Sequence, residues 1–168
     1  YVKGARVVTP FTYGLSNQNS PSVAPHERQK VLPLMTKAEG SITECKGGNF
    51  MFVNEGRIKL PDRRNVLPGV SMATVLELAG VLGIAVDEGE YSLYDVYSAS
   101  EVFVSATTYC VLPVATVNGY RIGDQLPGPV TGRIMEAWRE MVGMDFVQKA
   151  LHGLPPSDES SVADKPSG

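Results

Sequence analysis

Apolar residues fall along this chain in short runs and alternations, interrupted at close intervals by Gly, Pro, Asn and Ser. Such a pattern predicts a sheet with few helices. Val2, Val7 and Val8 predict a strand over residues 1–9, with a turn at Lys3-Gly4; residues 10–25 read as a Pro/Ser/Asn-rich loop, and 26–30 as a charged patch. The apolar run 31–35 leads through Glu39-Gly40 into 41–44 as a hairpin. Phe50 to Val53 and Ile58 to Leu60 flank Asn54-Glu55-Gly56, the strongest hairpin signal in the chain. Residues 61–68 read as a loop. Met72, Val75, Leu76, Leu78, Ala79 and Leu82 stand at helical spacing, so an amphipathic helix is expected, with Ser71 capping its start and Gly83 just past its end. A short strand over 84–86 follows. Ser92 and Asp95 form an acidic variant of the capping box for a short helix through Tyr97. Strands over 102–105 and 110–117 are joined by a turn at 106–109, and Asn118-Gly119 turns the chain into 120–122. A last helix opens near Pro129, with Ile134, Ala137, Trp138 and Met141 on one face.

Composition narrows the function classes. A length of 168 residues allows one core, and 43% apolar with 20% charged residues is the balance of a soluble globular protein. A net charge of −3 supplies no basic face for a nucleic acid, and no apolar run is long enough to span a membrane. Two cysteines, Cys45 and Cys110, lie far apart, which argues against a disulfide framework and for a cytoplasmic setting. Two histidines without metal-ligand spacing give no zinc motif. After Gly153 the chain has little to bury, so residues 153–168 are expected to be a disordered tail.

Three loops combine small residues with chemistry-bearing ones. In residues 43–50 a glycine pair bends the chain beside Glu44, a carboxylate suited to pairing with a heterocyclic nitrogen; a surface acidic turn is the plain alternative. Residues 65–71 lead into the first helix, where free N–H groups, Gly69 and the Ser71 hydroxyl together suit an anion; an ordinary serine cap is the alternative. Ser105 to Tyr109 offer adjacent hydroxyls on a turn between strands, although threonine is also a good strand residue.

In combination these segments resemble class IV (fold type IV) pyridoxal-phosphate aminotransferases of branched-chain type. The matching residues are Ile42-Thr43-Glu44, Gly47-Gly48-Asn49-Phe50, Leu67-Pro68-Gly69-Val70-Ser71 with the helix from Thr74 to Ala79, Ser100-Glu101-Val102-Phe103, Ala106 to Val114, and Gly128-Pro129-Val130-Thr131. The resemblance spans roughly 100 residues, and its motifs are specific as a set. It implies an α/β fold: a mixed, largely antiparallel sheet or partial barrel flanked by helices. It also implies pyridoxal 5′-phosphate as cofactor, with Glu44 facing the pyridine nitrogen, Leu67 packed on the ring, and Gly69, Val70, Ser71 and Thr107 on the phosphate. Thr108 and Tyr109 fall where backbone N–H groups receive the substrate carboxylate. Asn49 reads as structural, tying its hairpin.

The chain departs from the family pattern ahead of Glu44. The resemblance places the cofactor-binding lysine about three residues after Pro25, where Arg28 stands. Arginine keeps its proton and cannot be the nucleophile. Lys30 is the nearest amine and the candidate, against the plain reading of a solvated lysine. Residues 1–152 are therefore read as a truncated cofactor-binding C-terminal domain, with 10–30 a loop where a lysine-bearing helix is missing and the family's N-terminal domain absent. The expected function is transfer of an amino group between an amino acid or amine and a 2-oxo acid, in a homodimer. The alternatives are a lyase of the aminodeoxychorismate type and a catalytically inactive cofactor-binding or partner subunit.

Overall fold

The computed structural model describes residues 5–8 and 31–143. The expectations for the turn at Lys3-Gly4, the loop and charged patch over 10–30, Lys30 and the tail after Gly153 lie outside them. Among the described residues nine strands form one sheet: β1 (Ala5–Val8), β2 (Val31–Thr36), β3 (Ile42–Cys45), β4 (Asn49–Asn54), β5 (Arg57–Pro61), β6 (Val86–Gly89), β7 (Glu101–Ala106), β8 (Cys110–Val117) and β9 (Tyr120–Arg121). Their order is β3-β2-β1-β8-β7-β4-β5-β6, with β9 paired to β8. β1 runs parallel to both β2 and β8, and β5 parallel to β6; the other pairs are antiparallel. The sheet is thus mixed and largely antiparallel, as expected.

Both faces of the sheet are covered, which explains why the central strands read as continuous apolar runs. On β4, Phe50 and Phe52 point into one cluster with Val102, Val104 and Val114, while Met51 and Val53 point into another. The first cluster is closed by Val96 of α2 (Leu93–Tyr97), whose capping box is present: the Ser92 N–H and hydroxyl donate to Asp95 Oδ2 at 2.7 and 2.8 Å. The second is closed by α1 (Val70–Val81) and α3 (Pro129–Val142), through Met72, Val75, Leu78, Ile134 and Trp138.

Local chemistry sets the turns. Glu55 and Gly56 (φ 53° and 71°) and Asn118 and Gly119 (50° and 85°) make two-residue hairpin turns of the left-handed type. α1 ends in a Schellman motif: Gly83 takes φ 66°, its N–H reaches Gly80 O at 3.2 Å, and Ile84 N–H reaches Ala79 O at 2.8 Å.

Four expectations need correction. Ser71 does not cap α1; Gly69 is the N-cap, no side chain caps the helix, and Ser71 sits buried in the first turn. α1 is apolar on its outer face as well, with Val70 75% and Val81 79% exposed, so it is not amphipathic in the usual sense. The strand expected at 84–86 begins at Val86, because Ile84 is taken up by the helix end. Met141 is exposed, so the buried face of α3 is Val130, Thr131, Ile134 and Trp138.

Candidate functional site

Two quoted motifs of the sequence meet in the core. Glu101, at the head of β7 and 5% exposed, accepts the Val130 and Thr131 N–H groups at 2.8 and 2.7 Å. A carboxylate at the N-terminus of α3 answers its unpaired N–H groups and its dipole. Gly128 is the N-cap there because a Cβ would stand 2.2 Å from the Glu101 carboxyl carbon. This pair anchors α3 beneath the sheet and takes no part in the cleft.

The cleft itself has a volume of about 410 Å³. One wall is the β3–β4 turn through Glu44, Cys45, Gly47, Gly48 and Asn49, the second is Leu67 to Ser71 at the start of α1, and the third is Ser105 to Thr107 at the end of β7. The three loops singled out from the sequence are therefore one place in the fold. β4 and β7 pair Asn49 with Ser105, bringing the first and third walls together; hydrogen bonds then join the first to the second. Glu44 Oε2 accepts the Leu67 N–H at 2.9 Å and the Asn49 amide Nδ2 at 3.1 Å, and the same Nδ2 donates to Leu67 O at 2.8 Å. Glu44 is half-buried, and Leu67 presents a side chain that is 69% exposed.

The start of α1 opens on this cleft. Its first intrahelical bond runs from Ala73 N–H to Gly69 O at 3.0 Å, so the amides of the first turn are directed outward from the helix end. Cys45 also lines the cleft but is 1% exposed; burial, reinforced by neighbouring Glu44, pushes its thiol up to about 12, so it is not a nucleophile at neutral pH. Ser105 carries a buried hydroxyl with no hydrogen-bond partner among the described residues.

All six residues expected at the cofactor, namely Glu44, Leu67, Gly69, Val70, Ser71 and Thr107, line this cleft. Thr108 and Tyr109, expected at the substrate carboxylate, do not. Tyr109 packs against the first core cluster, and its N–H donates to Ala106 O at 3.3 Å. Asn49 bonds Glu44 across its own hairpin, in keeping with the structural reading, and in addition reaches Leu67 O. The glycine pair Gly47-Gly48, read as the bend beside Glu44, lines the cleft; Cys45, Pro68, Ser105 and Ala106 were not singled out individually, although all fall in the three loops. No lysine, arginine or histidine is among the lining residues described.

The fold is a mixed sheet covered on both faces, with a carboxylate and a helix start sharing one cleft. The chain belongs to the amino-transferase class IV family, whose pattern matches residues 26–117, over half its length. It is 38% identical over 100 residues to the branched-chain-amino-acid aminotransferases of Escherichia coli K12 and Salmonella typhimurium, a match covering 59% of this chain and 32% of theirs. The D-alanine aminotransferase of Listeria monocytogenes is 26% identical over 118 residues, covering 70% of this chain and 40% of the relative. The chain thus spans about a third of the length of the branched-chain relatives it matches. Among solved structures, the Escherichia coli branched-chain amino acid aminotransferase superposes with a TM-score of 0.66 at 28% identity, over 84% of this chain and 52% of that one. The T.th. branched-chain amino acid aminotransferase, solved with pyridoxamine 5′-phosphate, gives 0.69 at 26% identity, over 84% and 53%. These likenesses carry the mixed curled sheet with its helices as the family fold. Among the described residues, no helix is long and apolar enough to cross a membrane.

Proposed function

We propose that the cleft binds pyridoxal 5′-phosphate and that the chain is the cofactor-binding part of an aminotransferase, which moves an amino group between an amino acid or amine and a 2-oxo acid. The observation that carries this reading is the meeting of Glu44 with the start of α1 in one cleft. The residues present fit the group. Its phosphate matches the outward amides of Val70 and Ser71, the Ser71 hydroxyl and Thr107, while Gly69 lets the backbone come close. Leu67 supplies an apolar wall for a ring, and Glu44 a carboxylate for the ring nitrogen. When bound, the cofactor supplies an electron sink that makes the substrate Cα acidic. Glu44 contributes to that chemistry by holding the proton on the ring nitrogen, and Asn49 with the Leu67 N–H keeps the carboxylate in place.

Thr108 and Tyr109 are proposed to receive the substrate carboxylate, which requires the Tyr109 N–H to leave Ala106 O. Lys30 is proposed as the amine for covalent attachment of the cofactor. A cytoplasmic homodimer completes the proposal; the dimer is supported by the exposed apolar side chains of Val81, Met141 and Val142, which lie outside the cleft. A mass of one chain in light scattering would remove the homodimer.

One observation favours a second reading, a family member that binds the cofactor without catalysis: Arg28 stands where the resemblance places the lysine. A single experiment separates the two. The full chain is titrated with pyridoxal 5′-phosphate, reduced with borohydride and mapped by mass. Saturable binding with an adduct on Lys30, and amino transfer from L-leucine or D-alanine to 2-oxoglutarate, supports the aminotransferase. Binding without adduct or transfer supports the second reading, and absence of binding removes both.

A further inference from the structure

The side chain of Asn49 does more than a strand-end asparagine needs to do. It is 5% exposed at the first position of β4, on the sheet face that carries Met51 and Val53 and faces α1. Its Nδ2 lies within hydrogen-bond distance of two acceptors, Glu44 Oε2 and Leu67 O. Two acceptors around one atom require the amide nitrogen there, because a carbonyl oxygen in that place would face two other oxygens. Its Oδ1 lies against Gly69, so closely that a Cβ on residue 69 would stand 2.2 Å away. The peptide groups it touches are themselves tied: Leu67 N–H donates to the same Glu44 oxygen, and Leu67 O also accepts the Gly69 N–H at 2.8 Å. Both hydrogen bonds to Glu44 among the described residues end on Oε2, and none ends on Oε1.

We infer that Asn49 is a positioning residue of the cofactor site: it clamps one oxygen of Glu44 against the 67–69 turn, leaving the other to face the ring nitrogen. Through Leu67 and Gly69 it also sets the start of α1, and so the phosphate cradle, at a fixed distance from the acid. Two separate segments of sequence, 44–49 and 67–71, thus become one rigid frame matched to a ligand with a basic nitrogen at one end and a phosphate at the other. The inference rests on the cofactor reading above. Its physical basis is that a hydrogen bond to a charged, partly dehydrated carboxylate is stronger than one between neutral groups and fixes orientation as well as position.

The test uses the full chain and two variants. Asn49→Leu keeps roughly the shape and removes the donor; Asn49→Ala removes the donor and most of the volume. Pyridoxal 5′-phosphate affinity is measured by fluorescence titration, with the absorbance of the bound cofactor followed against pH. Both variants are expected to bind about tenfold more weakly or worse. Their bound-cofactor spectrum should change over a pH range where the wild type is constant, because a displaced Glu44 no longer holds the ring proton; general loosening of the fold would not move that spectrum. In a Glu44→Gln background, Asn49→Leu should cost less than it does in the wild type, since part of its effect acts through Glu44. If the wild type binds and both variants match it in affinity and spectrum, the inference fails while the cofactor reading stands. If the wild type does not bind, the cofactor reading fails and takes the inference with it. A measurement on the wild type alone covers the case of variants that do not fold. Slow hydrogen exchange of the Asn49 side-chain amide, followed by NMR in the ligand-free chain, is expected, and exchange at the rate of a free amide overturns the inference.

Discussion

Single residues here separate into those that hold the fold and those that shape the cleft, and the two kinds respond differently to substitution. Ser71 belongs to the second kind. It makes no capping bond, so Ser71→Ala should leave the free energy of unfolding in urea almost unchanged, within about 0.5 kcal/mol, where loss of a true cap costs about 1 kcal/mol. The same variant should weaken pyridoxal 5′-phosphate binding in a titration. Gly128 belongs to the first kind. Gly128→Ala drives a methyl group into the Glu101 carboxylate and strips two buried N–H groups at the start of α3 of their acceptor. A loss of about 2–4 kcal/mol is expected in denaturant unfolding. Glu101 was visible in the sequence only as one letter of a motif. Nothing local distinguishes it from a solvated strand-end glutamate, because its partners lie 29 and 30 residues further on.

At the scale of elements, the hairpins and both long helices were legible because their signals are local. The hairpin from β4 to β5 is written in its Glu55-Gly56 turn, and the end of α1 in Gly83. The outer strand β6 was less legible, since its pairing with β5 is parallel and crosses over α1. Part of what holds it is ionic: Asp87 accepts from Arg57 at 2.5 Å and from Lys59 at 2.7 Å, both on β5. The bonds to Arg57 first, and then to Lys59, hold the Asp87 carboxyl well below the usual carboxylate range. A carboxyl depressed in the folded state contributes stability above its unfolded value, near pH 4, and loses that contribution as pH falls toward the folded one. Asp87→Asn should therefore lower the unfolding midpoint most at neutral pH and low salt. The gap from the wild type should close progressively below about pH 4, and also in high salt, because the groups are exposed to screening. A gap that persists unchanged in acid would show that Asp87 acts by packing instead.

For the whole molecule, the cleft predicts a linkage between ligand and fold. If its walls come from three segments held in one frame, pyridoxal 5′-phosphate at a hundred times its dissociation constant should stabilise the chain by about 2.7 kcal/mol, seen as a rise in the melting temperature. The Glu44→Ala variant should show a smaller rise at the same concentration, and an equal rise would remove Glu44 from the site. The sequence by itself determined the element types and the three loops that carry chemistry. Each of these is set by local periodicity, turn residues and motif, which act within a few residues. It did not determine that Asn49 would clamp Glu44 to Leu67, that Glu101 would hold α3, or that Ser71 would sit inside the helix and not cap it. Those follow from strand pairing and helix packing, which place residues far apart in the chain within hydrogen-bond distance. Only the tertiary structure decides such contacts, because their energy depends on burial and geometry that no single segment contains.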